Sequence, residues 1–142
     1  MKILIIYTVL IFLFINFKNI NSSEKNYFNE AVNFFEKKKF KKAKFKFEQD
    51  IVFNPKSELS YLYLSKIFKK QNKKKLEEQN LNTVMLLNPK NEEAILNLAL
   101  LKKRKSNYTE TKKLIKDLKK VCKTLCQETS DLEKRLDALL KK

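Results

Sequence analysis

Cys122 and Cys126, the two thiols of this 142-residue chain, stand four residues apart. On a single helix that spacing makes their side chains neighbours on one face. Two readings follow. The first is a pair of small apolar residues packed beneath a last helix. The second is a disulfide, which an oxidising compartment would permit, although the near-parallel Cβ vectors of one helix suit its geometry poorly. The apolar reading is therefore the expectation. A redox role is disfavoured because the spacing is not C-x-x-C, and two thiols without further ligands make a poor metal site. The other groups able to do chemistry are cations in three runs: Lys37, Lys38 and Lys39; Lys73, Lys74 and Lys75; and Lys102, Lys103, Arg104 and Lys105.

Composition closes most catalytic routes. The chain has no histidine and no glycine. Imidazole acid/base chemistry, His-dependent nucleophiles and His-ligated metals are thereby excluded, as are phosphate-cradling glycine loops. No enzymatic activity, cofactor or metal is expected. The formal charge of +16 rests on 32 Lys and Arg against 16 acids, and only Arg104 and Arg135 are arginine. A nucleic-acid partner is disfavoured by that shortage, because base edges are read by bidentate Arg contacts. Much of the excess fits lysine simply filling solvated helix faces. Once a leader is set aside, the length suits one small domain.

Two motifs set the frame that must position these residues. Asn54-Pro55-Lys56 recurs as Asn88-Pro89-Lys90, 34 residues later, in a chain with no other proline. Placing both prolines at position 32 of successive 34-residue units gives units 24–57, 58–91 and 92–125. Unit one then has Tyr27, Ala31, Phe34, Ala43 and Phe47 at positions 4, 8, 11, 20 and 24; unit two has Tyr61, Leu64, Ser65, Phe68 and Leu81 at positions 4, 7, 8, 11 and 24. Glu30 and Glu77 break the pattern of bulky and small positions. Unit three keeps Ile95, Leu98, Ala99, Thr111 and Ile115, but Lys102 and Lys123 replace the aromatic and the proline. With this period and these residue classes the chain resembles the tetratricopeptide repeat family over residues 24–125.

The expected architecture is an all-α solenoid of antiparallel helix pairs, A then B in each unit, closed by a C-terminal solvating helix over residues 126–142. Proline at position 32 stops helix B. Ser57 and Asn91 fall at N-caps, followed by Glu58 and Glu92 where the helix dipole favours negative charge. The last B helix, lacking a proline, is expected over residues 109–127. Ser130 with Glu133 then reads as a capping box opening a helix with Leu132, Leu136, Leu139 and Leu140 on one face.

Residues 1–22 read as a signal peptide or N-terminal anchor helix. Lys2 precedes an apolar run at residues 3–17, broken only by Thr8 and Asn16. As a helix that run reaches about 22 Å, short of a hydrocarbon core of about 30 Å. It suits a secretory h-region better than a spanning helix. The implied location is exported, periplasmic or cell-envelope, with anchoring through residues 3–17 as the alternative.

The resemblance also implies a function. In such repeats the A helices line a groove that takes up a peptide, and positions 5, 9 and 12 face it. Here these are Phe28, Val32 and Phe35, then Leu62, Lys66 and Lys69, then Leu96, Leu100 and Lys103. That surface is apolar at one end and cationic at the other, fit for an apolar segment bearing acidic residues or a terminal carboxylate. Val32 and Lys66 replace the Asn that carboxylate-clamping members carry at position 9, so a chaperone-tail ligand is not supported. The expected protein is an exported or membrane-tethered adaptor binding a partner polypeptide, a subunit of an envelope complex among the forms this could take. The alternative is a basic rim binding anionic lipid or another polyanion.

Overall fold

The computed structural model describes residues 26–141. Among them are seven α-helices: α1 (Tyr27–Glu36), α2 (Phe40–Phe53), α3 (Glu58–Lys70), α4 (Lys74–Leu87), α5 (Glu92–Arg104), α6 (Tyr108–Val121) and α7 (Cys126–Leu140). The fold is an α-solenoid. Each odd helix packs on the even helix after it, α2 and α4 pack on the following pair, and α7 closes the array against α6 and the edge of α5. Short turns enforce this order by returning each helix along its predecessor.

Local chemistry sets the helix ends. The side chains of Asn26, Asn91 and Asn107 accept from the backbone N–H groups of Asn29, Ala94 and Glu110 at 3.1, 2.9 and 3.2 Å. Each bond satisfies one of the orphan donors of a first turn. After α2 and α4, Pro55 and Pro89 lie in matching turns in which Ser57 and Asn91 donate to the carbonyls of Asn54 and Asn88. Ser57 caps α3 only by position, since its hydroxyl donates to Ser60 instead.

Within each pair the turn is the same in all three copies. Lys38, Asn72 and Ser106 have φ of 56, 55 and 56°, and the next residue donates back to Phe34, Phe68 or Lys102 at 2.8 to 2.9 Å. This is the Schellman arrangement, whose left-handed residue is usually glycine. A lysine or serine there carries a Cβ penalty of about 1 kcal/mol. Lys38→Gly and Ser106→Gly are each expected to stabilise the fold by about 0.5 kcal/mol or more, net of the extra freedom glycine brings to the unfolded chain. Chemical denaturation checks this; a loss of stability in both variants would refute it.

Small residues let the helices close. Ala31, Ser65 and Ala99 on the odd helices are buried, as are Ala43 and Thr111 on the even ones. Phe47, Leu81 and Ile115, one per even helix, fill the space between pairs, each fully buried side chain contributing about 1.5–3 kcal/mol. The core forms two clusters. One gathers Phe47, Ala31 and Ala43 with Leu64, Ile67 and Phe68 of α3. The other runs from Leu62 and Leu81 through Ile95, Leu98, Ile115 and Leu118 to Leu132 and Leu136 of α7.

The third pair ends differently from the expectation. Helix α6 stops at Val121, not at Gln127, and α7 opens at Cys126, one turn before Ser130. Ser130 lies inside α7, and Glu133 pairs with Lys119 rather than capping a helix. Leu132 and Leu136 are buried, while Leu139 and Leu140 remain partly exposed. Two links hold the break that proline makes elsewhere. Glu92 Oε2 accepts from the N–H groups of Thr124 and Leu125 at 3.0 and 2.9 Å and from the Thr124 hydroxyl at 3.2 Å. Cys122 and Cys126 form a disulfide across the junction, their Cα atoms 5.3 Å apart. The expectation of two unbridged apolar cysteines is thus corrected. It assumed one continuous helix, whereas Cys122 is the extended C-cap just past α6 and Cys126 begins α7, which frees the side chains to converge.

Backbone donors at Leu125, Lys123 and Thr124 hold the Glu92 carboxyl down to about 2, from an ordinary 4.5. Because the folded value is the lower one, the stabilisation is complete above pH 4.5 and lost as pH falls through about 2. The melting temperature of the wild type is expected to fall more steeply than that of Glu92→Gln across this window. Parallel pH profiles for the two proteins would refute it.

The leader expectation, residues 1–22 with the apolar run at 3–17, lies outside the described residues. Among the described residues, no helix is long and apolar enough to cross a membrane.

Candidate functional site

Helices α1, α3 and α5 bring most of the expected binding residues to one side. Phe28, Val32 and Phe35 of α1 are half-buried. The Phe28 and Phe35 rings meet Tyr63 of α3 edge-on, with centroids 6.0 and 5.0 Å apart. Tyr63 in turn stacks on Phe47 at 5.0 Å, so the aromatic end of the face is rooted in the core. Lys66 places its ammonium 4.7 Å from the Tyr63 centroid and pairs with Glu93 of α5 at 2.7 Å. Exposed Lys69 donates to Asn97 of α5 at 3.1 Å. Leu96, Leu100 and Lys103 are half-buried on α5. The leucines pack against the larger core cluster.

Leu62 does not belong to this face. At 4% exposure it is a core residue, because α3 is flanked on both sides and position 5 of its pair turns inward. Tyr63, Glu93 and Asn97 join the face instead. Tyr63, Lys66 and Lys70 follow an i, i+3, i+7 spacing, a helical stripe that is present in the sequence itself. The surface is consequently less cationic than the residue types suggest, because Glu93 neutralises Lys66.

The basic rim divides into two kinds of run. Lys37, Lys38, Lys39, Lys73, Lys74 and Lys75 are exposed and have no ion-pair partner among the described residues. The third run is largely consumed within the fold. Lys102 and Lys105 pair with Glu78 at 2.7 Å each, and Arg104 grips both oxygens of Glu77 at 2.6 and 2.7 Å. Hydrogen bonds from Lys102 and Lys105 hold the Glu78 carboxyl below its ordinary range. Glu77, which breaks the small-residue pattern, is 1% exposed and is the buried anchor of this junction. Lys103 has no ion-pair partner among the described residues. Among the described residues no cluster of three or more His, Cys, Asp or Glu side chains could hold a metal ion.

No family model matches the sequence, and no curated protein matches it either. Solved structures do match. The TPR2B domain of yeast Sti1, in a complex described as pHsp70, aligns with 12% identity over 81% of this chain and 96% of its own, at a TM-score of 0.74. The Yersinia enterocolitica type III secretion chaperone SycD, bound to a peptide of the translocator YopD, aligns with 14% identity over 88% and 100%, also at 0.74. An Arabidopsis OM64 TPR domain aligns with 19% identity over 78% and 90%, at 0.70. Similarity at these identities is similarity of fold, and that fold is the tetratricopeptide-repeat solenoid with a closing helix.

Proposed function

We propose, on the basis of this tetratricopeptide fold, that the chain is a non-enzymatic adaptor that holds a partner polypeptide against α1, α3 and α5. One observation carries the reading. Phe28 and Phe35 meet Tyr63, and the Lys66–Glu93 and Lys69–Asn97 contacts tie α3 to α5, where half-buried Leu96 and Leu100 each lie three residues beyond Glu93 and Asn97, making one apolar face crossed by polar groups. Such a face suits an amphipathic segment whose apolar side chains lie at its two ends and whose polar groups meet α3 in the middle. Two of the similar structures are complexes, yeast Sti1 TPR2B with pHsp70 and Yersinia SycD with a peptide of the translocator YopD, which supports the reading.

The setting is part of the proposal. We take the chain to act outside the cytoplasm or tethered to a membrane, in the cell envelope. The apolar run at residues 3–17 and the Cys122–Cys126 bond support this, since disulfides persist in oxidising compartments.

Val32→Glu combined with Leu100→Glu places two charges on the face without touching fully buried positions. Affinity purification with this variant is expected to recover the partner polypeptide at about a tenth of the wild-type level or less, the factor for 1.4 kcal/mol. Lys113→Glu, on the exposed side of α6, is expected to recover it normally. Identical recovery from all three proteins would defeat the proposal.

A further inference from the structure

We infer that the outward side of α2 is a docking surface for an anionic lipid bilayer. Residues 37–46 contain seven lysines and no acid. Lys44 and Lys46 are taken by Glu48 and Glu30, each at 2.6 Å. Lys37, Lys38, Lys39, Lys41 and Lys42 are exposed and have no ion-pair partner among the described residues. Four and eleven residues after Lys41, on the same side of the helix, Phe45 and Val52 stand 59% and 75% exposed. A shallow depression of about 350 Å³ opens between Phe34 and Phe45, walled by Lys41, Lys42 and Lys46. The Lys42 ammonium lies 5.7 Å from the Phe34 centroid.

Phe45 held in water beside the unneutralised Lys41 and Lys42, with Lys37, Lys38 and Lys39 in the turn before the helix and Val52 about 10 Å further along the same side, is the pattern of an interfacial helix. The apolar side chains enter the boundary between headgroups and acyl chains, while lysine stems lie along them and carry their charges to lipid phosphates. Charge chooses the occupant, since a neutral apolar partner would bury those ammonium groups without compensation. The equivalent positions elsewhere lack the combination: α4 offers Lys75, Gln79 and Leu86, and α6 offers Thr109, Lys113 and Lys120. The apolar run at residues 3–17 is joined to α1 by residues 18–26, a link of about 30 Å at most. The pair carrying the patch is therefore the pair that a lipid-seeking leader would bring to a bilayer.

The chain has no tryptophan, so F45W in the full chain is a lone fluorescent reporter. With vesicles containing phosphatidylglycerol its emission is expected to shift to the blue and to be quenched by brominated acyl chains, with neither effect on pure phosphatidylcholine. K41Q/K42Q in the same background is expected to lower the ratio of docked to undocked protein roughly thirtyfold, about fivefold per lysine near an anionic surface. L139W, a partly exposed position on α7, is expected to escape quenching. Equal quenching of F45W and L139W, or equal effects on charged and neutral vesicles, would overturn the inference. Emission of F45W already blue-shifted without lipid would also overturn it, by showing the face covered by the leader or by a second copy.

Discussion

Truncation of Phe47 to alanine is expected to cost about 4 kcal/mol of unfolding free energy, within the range measured for buried aromatic residues. The side chain is fully buried at the meeting of α1, α2 and α3. Its ring touches Phe28 and Tyr63, at 5.9 and 5.0 Å between centroids. Removing it opens a void lined by rigid rings and by Ala31 and Ala43, whose methyl groups cannot swing inward to fill it. The neighbouring Phe45 gives the contrast. It is of the same type and lies on the same helix, but it faces outward, and Phe45→Ala is expected to change stability by no more than about 0.5 kcal/mol. Urea titration followed by helical circular dichroism separates the two. Equal costs would mean that the smaller cluster is not packed around Phe47.

The second large effect is asymmetric. Arg104→Ala is expected to destabilise the protein by about 3 kcal/mol, because it strands the Glu77 carboxylate in the core between α4 and α5. Arg104 supplies both hydrogen bonds recorded to the Glu77 side chain, and its own charge is partly in solvent. Glu77→Ala removes the buried charge instead. It also restores the small residue found at the same place in Ala43 and Thr111, so a change within about 1 kcal/mol is expected. The double substitution should recover most of the loss. If the two single substitutions cost the same, or if Glu77→Ala is the worse, the account of this junction fails.

The parts of the fold legible in the sequence are those fixed by local chemistry. Pro55 and Pro89 cannot continue a helix, and their 34-residue spacing phases the recurring small and bulky residues, which is enough to imply paired helices. The junction before α7 was not legible in the same way. Its stop depends on a carboxylate 32 residues away, Glu92, and on a disulfide that forms only because the helix has already broken. Glu77 looked like a flaw in the repeat for a similar reason: its partner lies 27 residues further on. The binding face was partly legible. Position 5 is half-exposed in Phe28 and Leu96, but Leu62 is buried because α3 has a helix pair on either side, and no pattern within one unit encodes its neighbours. Charge was the least legible property. A row of cations in the sequence does not say which of them the fold has already neutralised.

Helix α3 is the shared wall of the two clusters, giving Leu64, Ile67 and Phe68 to one side and Leu62 to the other. Tension applied from the leading end of the chain would therefore meet a natural stopping point. The α1–α2 hairpin can peel away by surrendering the smaller cluster, while the later helices, latched to α7, keep theirs. A chain pulled from its front would yield in two steps, and the hairpin lost first carries both the aromatic end of the peptide face and the lysine-rimmed patch.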